Sequence, residues 1–579
     1  MNVKLINKDE IKDFYKIWGT FSRQCYNSPE GKEEIIGKHC HKSGHYSGSR
    51  AVSFIFEIDG ISRAAIAQLN RHSIGVTINE RSMRYVDFSN ATIKIPHTIE
   101  NNDKAKEIFE NAVKTCTDAY KDIQELLNED GVKGEKANQD CRYILPLGTE
   151  TCGTYGFTLE ALTNFMHKRL CCFDEETEVL TENGWKYFKD LNKNDRFYSI
   201  DENTGNCYLA YADDFYAYDF KGEMVRVKSQ SIDQLVTTNH ELLISPSYDN
   251  KRWIKIDAIN HKDYKTILMK KNCNPISGIV DDYISLNDNT FVPLIPFMKF
   301  LGMFISDGSA TKSGDHYNIC ISKGDINIIN KYKEICESIT NHSVRITNDG
   351  VAYKIEFHDR DIYDFIKNNN IGNNALEKNI PDIVWKYDST ILQHLYEGFL
   401  DGDCKKDDGT LSTISYKLAG DFQRLLLHIG YSGTIQVIDR IGKTSRGYDK
   451  LGNPYEITTK NIEYRVGSNK SKNEPIIKTT NRDAFSSEYY DGKVYCVSLE
   501  KYHNLYIRRN GRTVWSGNCR SQWEIRELAR MMRDEVLEVL PKLEDELVPT
   551  CEYLLWCPEG KSCCGKAPTK EQLKNKLND

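Results

Sequence analysis

The chain has 579 residues, more than a single hydrophobic core accommodates, so several domains are expected. A formal net charge of −7 does not announce a nucleic-acid partner, so any such contact must rest on local motifs. No run of 18 apolar residues occurs and the N-terminus has no apolar signal core, which points to a cytoplasmic protein with no membrane association whose 18 cysteines are mostly reduced thiols.

Residues 1–171 mix helix and strand. Ala51–Ile58 is a β-rich run closed by Asp59-Gly60. Asp103–Glu129 has helical periodicity, with Ile108, Phe109, Val113, Tyr120, Ile123, Leu126 and Leu127 on one side and Gly131 as its stop. Between them, Gln68-Leu69-Asn70-Arg71-His72-Ser73 leads to Asn79-Glu80-Arg81-Ser82-Met83-Arg84-Tyr85, a polar stretch with few apolar positions. Arginine forks suit phosphate or carboxylate, and a glutamate with a glutamine suits the hydrogen-bonding edge of a base; a solvated charged face is the competing reading.

That stretch resembles the signature of the flavin-dependent thymidylate synthases, Arg-His-Arg-x-x-Ser-x-Asn-Glu-x-Ser-x-Arg-Tyr. Further blocks agree in order: Gly44-His45-Tyr46-Ser47, then Cys141-Arg142-Tyr143-Ile144-Leu145-Pro146, then Asn164 with Arg169 five residues on, and finally Gln522-Trp523-Glu524-Ile525-Arg526. The last block takes its family spacing, six steps from Arg169 to Gln522, only when residues 172–518 are removed. The resemblance implies conversion of dUMP to dTMP with 5,10-methylenetetrahydrofolate as carbon donor, FAD as carrier and NADPH as reductant, in a homotetramer. It assigns dUMP to Gln68, Arg71, Glu80, Arg81, Ser82, Met83, Arg84, Arg142 and Arg169, with Arg169 activating the uracil ring. It assigns FAD to His45, Ser47, Arg71, His72, Ser73, Glu80 and Asn164. The chain departs from the family at Ser73, where an arginine is expected, at one extra residue between His72 and Asn79, and at Arg50-Ala51 in place of Glu-His.

The helical pattern of residues 164–171 stops abruptly at Cys171, and a helix without a cap resumes at Cys519; joined, they make one amphipathic helix with Trp523, Leu528, Met531 and Met532 at helical spacing. The intervening residues 172–518 begin and end with groups suited to self-removal. Cys172-Phe173-Asp174, Thr237-Thr238-Asn239-His240, Val494-Tyr495-Cys496-Val497 with His503-Asn504, and Asn518-Cys519 resemble the splicing blocks of inteins. In that reading the Cys172 thiol attacks the Cys171 carbonyl, His240 acts as acid with Thr237 in support, Asn518 cyclises, and Cys519 accepts the acyl group. Gly517 stands where such inteins carry histidine, which shifts support of Asn518 to His503.

Inside the insertion, Phe300–Gly308 and Tyr396–Cys404 repeat a pattern: an apolar helix with a central glycine and an acid at the eighth position. Small residues let two helices pack closely and bring Asp307 and Asp403 together, a pair suited to Mg²⁺ and phosphodiester hydrolysis. This resembles the two-motif LAGLIDADG homing endonucleases and implies double-stranded DNA as partner; Cys404, where glycine is expected, leaves a decayed nuclease as the alternative. Basic residues between Arg440 and Lys472 are interleaved with acids. Cys551, Cys557, Cys563 and Cys564 lack Cys-x-x-Cys pairs and read as reduced thiols before a zinc site.

The expected organisation is an α/β (α+β) thymidylate synthase fold in two parts, 1–171 and 519–579. It is split by an all-β Hint-type splicing domain, about 172–290 and 475–518, that carries an α+β endonuclease domain at about 291–474. A rival reading makes the chain principally a DNA-binding homing endonuclease with incidental flanks.

Overall fold

The computed structural model describes residues 1–43, 45–100, 102–167, 169–348, 352–371, 374–448, 454–467, 473–481, 483–499, 501–518 and 523–540. Gly44, Cys519, Gln522 and the four C-terminal cysteines lie outside the described residues.

Near the N-terminus, β1 (Asn2–Leu5), β2 (Ser53–Ser62), β3 (Val76–Glu80) and β4 (Glu150–Thr158) form an antiparallel sheet in the order β1-β2-β4-β3. The strand expected from residue 51 starts at Ser53, because residues 46–51 wind into a 3-10 turn. Its period of two is visible in burial: Phe54, Phe56 and Ile58 are fully buried while Ser53 and Glu57 face solvent. Helix α1 (Arg63–Leu69) leaves β2 with Ser62 as its cap, the hydroxyl accepting from Ala65 N at 3.1 Å. The expected long helix is α2 (Asp103–Glu129), capped by Asn102. Its apolar side is mostly uncovered. Tyr120 is buried, whereas Ile108 and Leu126 are 71% and 62% exposed. Helix α3 (Leu159–His167) closes this part.

Residues 173–269 and 476–517 are built almost wholly of strands. The two-residue β5 (Phe173–Asp174) lies beside β8 (Asp233–Thr237) and β11 (Phe485–Leu499). β6 (Glu178–Thr181) pairs with β12 (Asn504–Arg509), and the long β7 (Cys207–Lys228) runs antiparallel to β11 from Phe485↔Val227 to Leu499↔Ala212. β9 (Glu241–Ser245) pairs with β13 (Arg512–Gly517). The β12–β13 hairpin turns on Asn510-Gly511, both at positive φ as a tight hairpin turn requires. One core, from Phe173 to Val514, fills this region.

A separate core gathers residues between Ile284 and Val466. Its centre is a helix pair, α4 (Leu294–Asp307) and α5 (Ser389–Asp401), packed glycine against glycine. A Cβ on Gly302 would sit 2.3 Å from Leu395 O and 2.9 Å from Gly398 Cα, and one on Gly398 would sit 2.5 Å from Lys299 O. No larger residue allows this approach. Strand β10 (His316–Lys323) belongs to a four-stranded antiparallel sheet on one side; α6 (Tyr416–His428) and strands at 411–413, 434–438 and 463–467 lie on the other. Arg508 ties this core to the strand-rich one. It binds Glu178 through two nitrogens at 2.7 and 2.5 Å, donates to Gln423 Oε1 at 3.1 Å, and covers the Trp185 ring at 4.4 Å.

The single helix expected across the joined ends is here two helices, α3 and α7 (Trp523–Val539), with residues 172–518 between them. α7 is nonetheless docked: Ile525, Leu528, Ala529, Met532 and Val536 are buried in the same core as Phe54, Phe56, Leu162 and Phe165. Polar anchors fix it. The buried Glu524 accepts from Ser62 N at 2.6 Å and from Ser62 Oγ at 2.5 Å, and Glu535 accepts from Leu5 N at 2.9 Å. Among the described residues, no helix is long and apolar enough to cross a membrane.

Candidate functional site

The ends of the 172–518 segment meet along β11. Cys172 is fully buried, and its N–H donates to Thr237 Oγ1 at 2.9 Å; Thr237 N–H returns a bond to Cys172 O at 3.0 Å. The preceding carbonyl, Cys171 O, accepts from Arg526 Nη2 at 3.2 Å, and the same nitrogen lies 3.5 Å from Cys172 Sγ. Tyr218 Oη donates to Leu170 O at 2.6 Å. Cys171, Cys172 and Cys496 share a small apolar cluster with Phe220, Met224, Leu235 and Val494. Burial pushes the Cys172 thiol up, against the lowering effect of the Arg526 charge. Cys496, which receives hydrogen bonds from the Cys171 and Cys172 thiols, is held well below the ordinary thiol value.

His240 is fully buried beside the Phe173 ring, centroids 4.2 Å apart, with Nε2 3.0 Å from Ser516 Oγ. Burial lowers it to about 4, so its ring is neutral at neutral pH. It therefore starts as a neutral imidazole with one ring N–H, not as an imidazolium acid. Asn518 is buried, with Nδ2 donating to Val497 O at 3.0 Å and N–H donating to His503 O at 3.0 Å. His503 thus meets Asn518 through its backbone carbonyl. Gly517 has a steric reason: a Cβ there would meet Glu241 O at 2.5 Å, which leaves no space for histidine.

Asp307 and Asp403 converge at the ends of the glycine-packed helices. Lys323 Nζ donates to Asp307 Oδ2 at 2.5 Å and to Gly402 O at 2.7 Å; Lys378 Nζ lies 3.9 Å from Asp403 Oδ2. Burial, then the neighbouring Asp307 charge, pushes Asp403 up to about 6. Two neighbouring half-buried carboxylates suit a divalent cation such as Mg²⁺, and among the described residues no group of three or more His, Cys, Asp or Glu side chains is placed to hold a metal. Lys323 carried no sequence signal, since only the folded strand β10 brings it back onto Asp307; Lys378 stands in the Lys378-Asn379-Ile380-Pro381 stretch between the two motifs, which fits the same resemblance.

In the first part, Arg169 and His72 meet: Arg169 Nη2 lies 3.2 Å from His72 Nε2, and both lie by the Phe165 ring. Glu80 is held by Arg63 Nη1 and by Asn70 Nδ2, each at 2.7 Å, and Arg63 also donates to Arg81 O at 2.6 Å. Arg63 lay outside the motif and only the β3–α1 packing reveals it. Met83 and Arg142 line a cavity of about 360 Å³ with Arg63, Tyr143, Leu145, Pro146 and Leu147. Arg84 is paired with Glu135 across the surface. Arg71, Ser73, Ser47 and Asn164 are exposed, Gln68, Ser82 and His45 half-buried. Exposed guanidinium and hydroxyl groups beside His72 and Asn164 are a donor set that fits the diphosphate of FAD. Arg50, where the family has glutamate, is bound to Glu160 at 2.5 Å.

A family model described as thymidylate synthase complementing protein matches residues 4–190. The chain is 38% identical over 138 residues to a flavin-dependent thymidylate synthase of Nitratidesulfovibrio vulgaris, covering 24% of this chain and 56% of the relative. With the flavin-dependent thymidylate synthase of Clostridium tetani the identity is 30% over 198 residues, covering 31% of this chain and 78% of the relative. An ATP-dependent Clp protease proteolytic subunit of Chlamydomonas moewusii is 26% identical over 346 residues, 53% of this chain and 32% of that protein. A solved structure of homing endonuclease I-DmoI variants covers 31% of this chain and 92% of its own at 12% identity and a TM-score of 0.24, a likeness too slight to carry an inference. The chain thus spans about a third to a half of the first of these relatives' lengths. From its match to the Clostridium tetani enzyme and the family model, the chain belongs to the flavin-dependent thymidylate synthase family.

Proposed function

We propose that residues 1–171 and 519–579 are the two parts of a cytoplasmic flavin-dependent thymidylate synthase, and that residues 172–518 are an intein that excises itself and joins them. The observation that carries the splicing half is the junction: one peptide bond, Cys171–Cys172, has its N–H on Thr237 and its carbonyl on Arg526, while Asn518, just after β13, bonds to Val497 of β11, the strand that β5 also pairs with. The steps follow from these groups. The Cys172 sulfur bonds to the Cys171 carbonyl carbon, the C–N bond breaks, and the sulfur's proton ends on the Cys172 nitrogen, leaving a thioester. His240, neutral at the start, takes that proton before giving it. Cys519 exchanges with the thioester, Asn518 Nδ2 attacks its own carbonyl to release the segment, and an S–N shift restores the peptide bond. A second support is the reach of the likeness. Residues outside 172–518 number 232 of 579, about 40% of the chain, so a relative matching 53% must also match within 172–518. A protease subunit and a thymidylate synthase share no chemistry, and a segment common to both behaves as portable. The three cores support a Hint-type splicing domain around an endonuclease domain.

For the joined protein, the reaction is dUMP to dTMP with 5,10-methylenetetrahydrofolate. FAD, when bound, relays reducing equivalents from NADPH. Arg169 places positive charge where the uracil ring gains negative charge, while Glu80, steadied by Arg63 and Asn70, and Arg142 with Met83 hold the nucleotide. The exposed apolar stripe on α2 and the exposure of Arg71, Ser73 and Asn164 support sites completed between copies of a homotetramer. A second activity is favoured by the convergence of Asp307 and Asp403: a DNA endonuclease in which these two carboxylates would hold Mg²⁺, whose chemistry would be to supply an activated water. Lys323 and Lys378 there hold the two carboxylates and meet phosphate charge.

Expression of the whole chain with intact-mass analysis tests the reading. A ligated product of 232 residues and a free segment of 347 are expected, and the product should be yellow with flavin. Cys172→Ala with Asn518→Ala should leave full-length chain. Wild-type chain that stays intact after long incubation would sink the splicing half; a ligated product without flavin or dUMP methylation would sink the synthase half.

A further inference from the structure

Arg526 belongs to the host part of the chain, on α7, yet it is bonded to the reacting atoms of the upstream junction. We propose that Arg526 is a catalytic residue of the first splicing step, so that the intein uses a side chain of the protein it interrupts and begins to splice only when the host core has folded. This rests on the splicing reading above.

The geometry is specific. Arg526 Nη2 donates to Cys171 O, the oxygen that gains negative charge as sulfur adds to the carbonyl carbon, and the same group stands 3.5 Å from the attacking sulfur. The site excludes water: Arg526 is 1% exposed, and Cys172, Cys496 and His240 are fully buried. A preorganised cation in such a place stabilises a developing oxyanion far more than it would in water. The insert shapes a seat for it. Tyr216 on β7 stacks under the guanidinium at 3.6 Å, and two residues on, Tyr218 lies 5.7 Å from Arg533, about two turns further along α7. Tyr216 and Tyr218 share a face of β7 because side chains alternate along a strand; Arg526 and Arg533 share a face of α7 because seven residues make about two helical turns. Thr237 and Arg526 thus hold opposite ends of one amide, Thr237 from the insert and Arg526 from the host. α7 reaches this position only by packing Ile525, Leu528 and Met532 into the core with β2 and α3. The junction therefore senses whether residues from both sides of the insertion have assembled.

The test uses the full-length chain with Asn518→Ala, which stops release at the downstream junction, and reads the upstream step as dithiothreitol-dependent release of residues 1–171. Adding Arg526→Met should slow that release on the order of a hundredfold, the loss associated with one oxyanion donor. Arg526→Lys should recover part of it. Arg533→Met, which disturbs the same helix and the same tyrosine pair but leaves the Arg526 bond to Cys171 O in place, should stay within about twofold of the parent. In a Cys172→Ala background, Arg526→Met should leave Asn518 cyclisation unchanged, which also reports that the variant is folded. Release by Arg526→Met at the parent rate overturns the proposal. Equal slowing by Arg526→Met and Arg533→Met, or equal loss of Asn518 cyclisation, also overturns it by reducing Arg526 to packing. If the parent releases nothing with thiol and the Cys172→Ala chain does not cleave at Asn518, the splicing reading itself fails and takes this one with it.

Discussion

At the scale of single residues, the junction is governed by hydrogen bonds made in the absence of water. Thr237 both accepts from Cys172 N and lies within 3.4 Å of Cys172 O through the same hydroxyl. Thr237→Val keeps the shape and removes that oxygen, so thiol-dependent release of residues 1–171 should fall about ten- to a hundredfold with little change in folding. His240 gives a pH signature. Its ordinary value near 6.5 falls to about 4 through burial, so the unfolded chain binds the extra proton between those values. Stability from the neutral ring is complete above pH 6.5 and is lost as pH falls toward 4, by up to about 1.4 kcal/mol per pH unit for this one group. His428, also buried and shifted down by burial and by Arg424, adds to the same direction. Thermal melts at pH 7.5 and 5.0 should show a drop for the wild type that is smaller in His240→Gln. Equal drops in the two would place the acid sensitivity elsewhere.

At the scale of elements, the pair α4–α5 depends on its two glycines. Gly302→Val puts atoms within 2.3 Å of Leu395 O, which is backbone and cannot swing aside. The helices must separate, at a cost of about 3 kcal/mol or more, and the carboxylates at their ends separate with them. A lowered melting transition and lost DNA cutting should appear together. Asp307→Asn or Asp403→Asn should abolish Mg²⁺-dependent cutting of the joined flanking DNA while splicing continues, since neither touches β5, β8 or β11. Cutting by either variant at wild-type rate would remove the carboxylates from the chemistry, and no cutting by the wild type would favour a decayed nuclease.

At the scale of the whole molecule, α7 is already seated against β1, β2 and α3 before any bond is exchanged. What the unspliced chain lacks is continuity between Arg169 and the residues after Cys519. In a joined helix, backbone hydrogen bonds would set their relative angle, and an error of about 1 Å at a catalytic group costs on the order of a hundredfold in rate. The Cys172→Ala, Asn518→Ala chain should therefore methylate dUMP at no more than a few per cent of the ligated enzyme at matched flavin content, an estimate that follows from that misplacement cost. Equal specific activity would show that docking of α7 suffices without ligation.

Much of this was legible in the chain itself where local chemistry decides. Asp103–Glu129 reads as a helix from its periodicity and its glycine stop, and the repeated glycine-and-acid pattern at 300–308 and 396–404 implies two helices in close contact because small residues permit it. Cys172, Thr237, His240 and Asn518 stand out in the sequence by type and order through their likeness to splicing blocks, and the fold brings Thr237 onto Cys172. Other features depend on contacts between residues hundreds of positions apart, which periodicity and spacing do not encode. Arg63 on Glu80, Lys323 on Asp307, the neutral state of His240 and the bare stripe on α2 are of this kind. So is Arg526, read in the sequence as one position of a synthase motif and found on the carbonyl of Cys171, where only the packing of α7 against β7 could bring it.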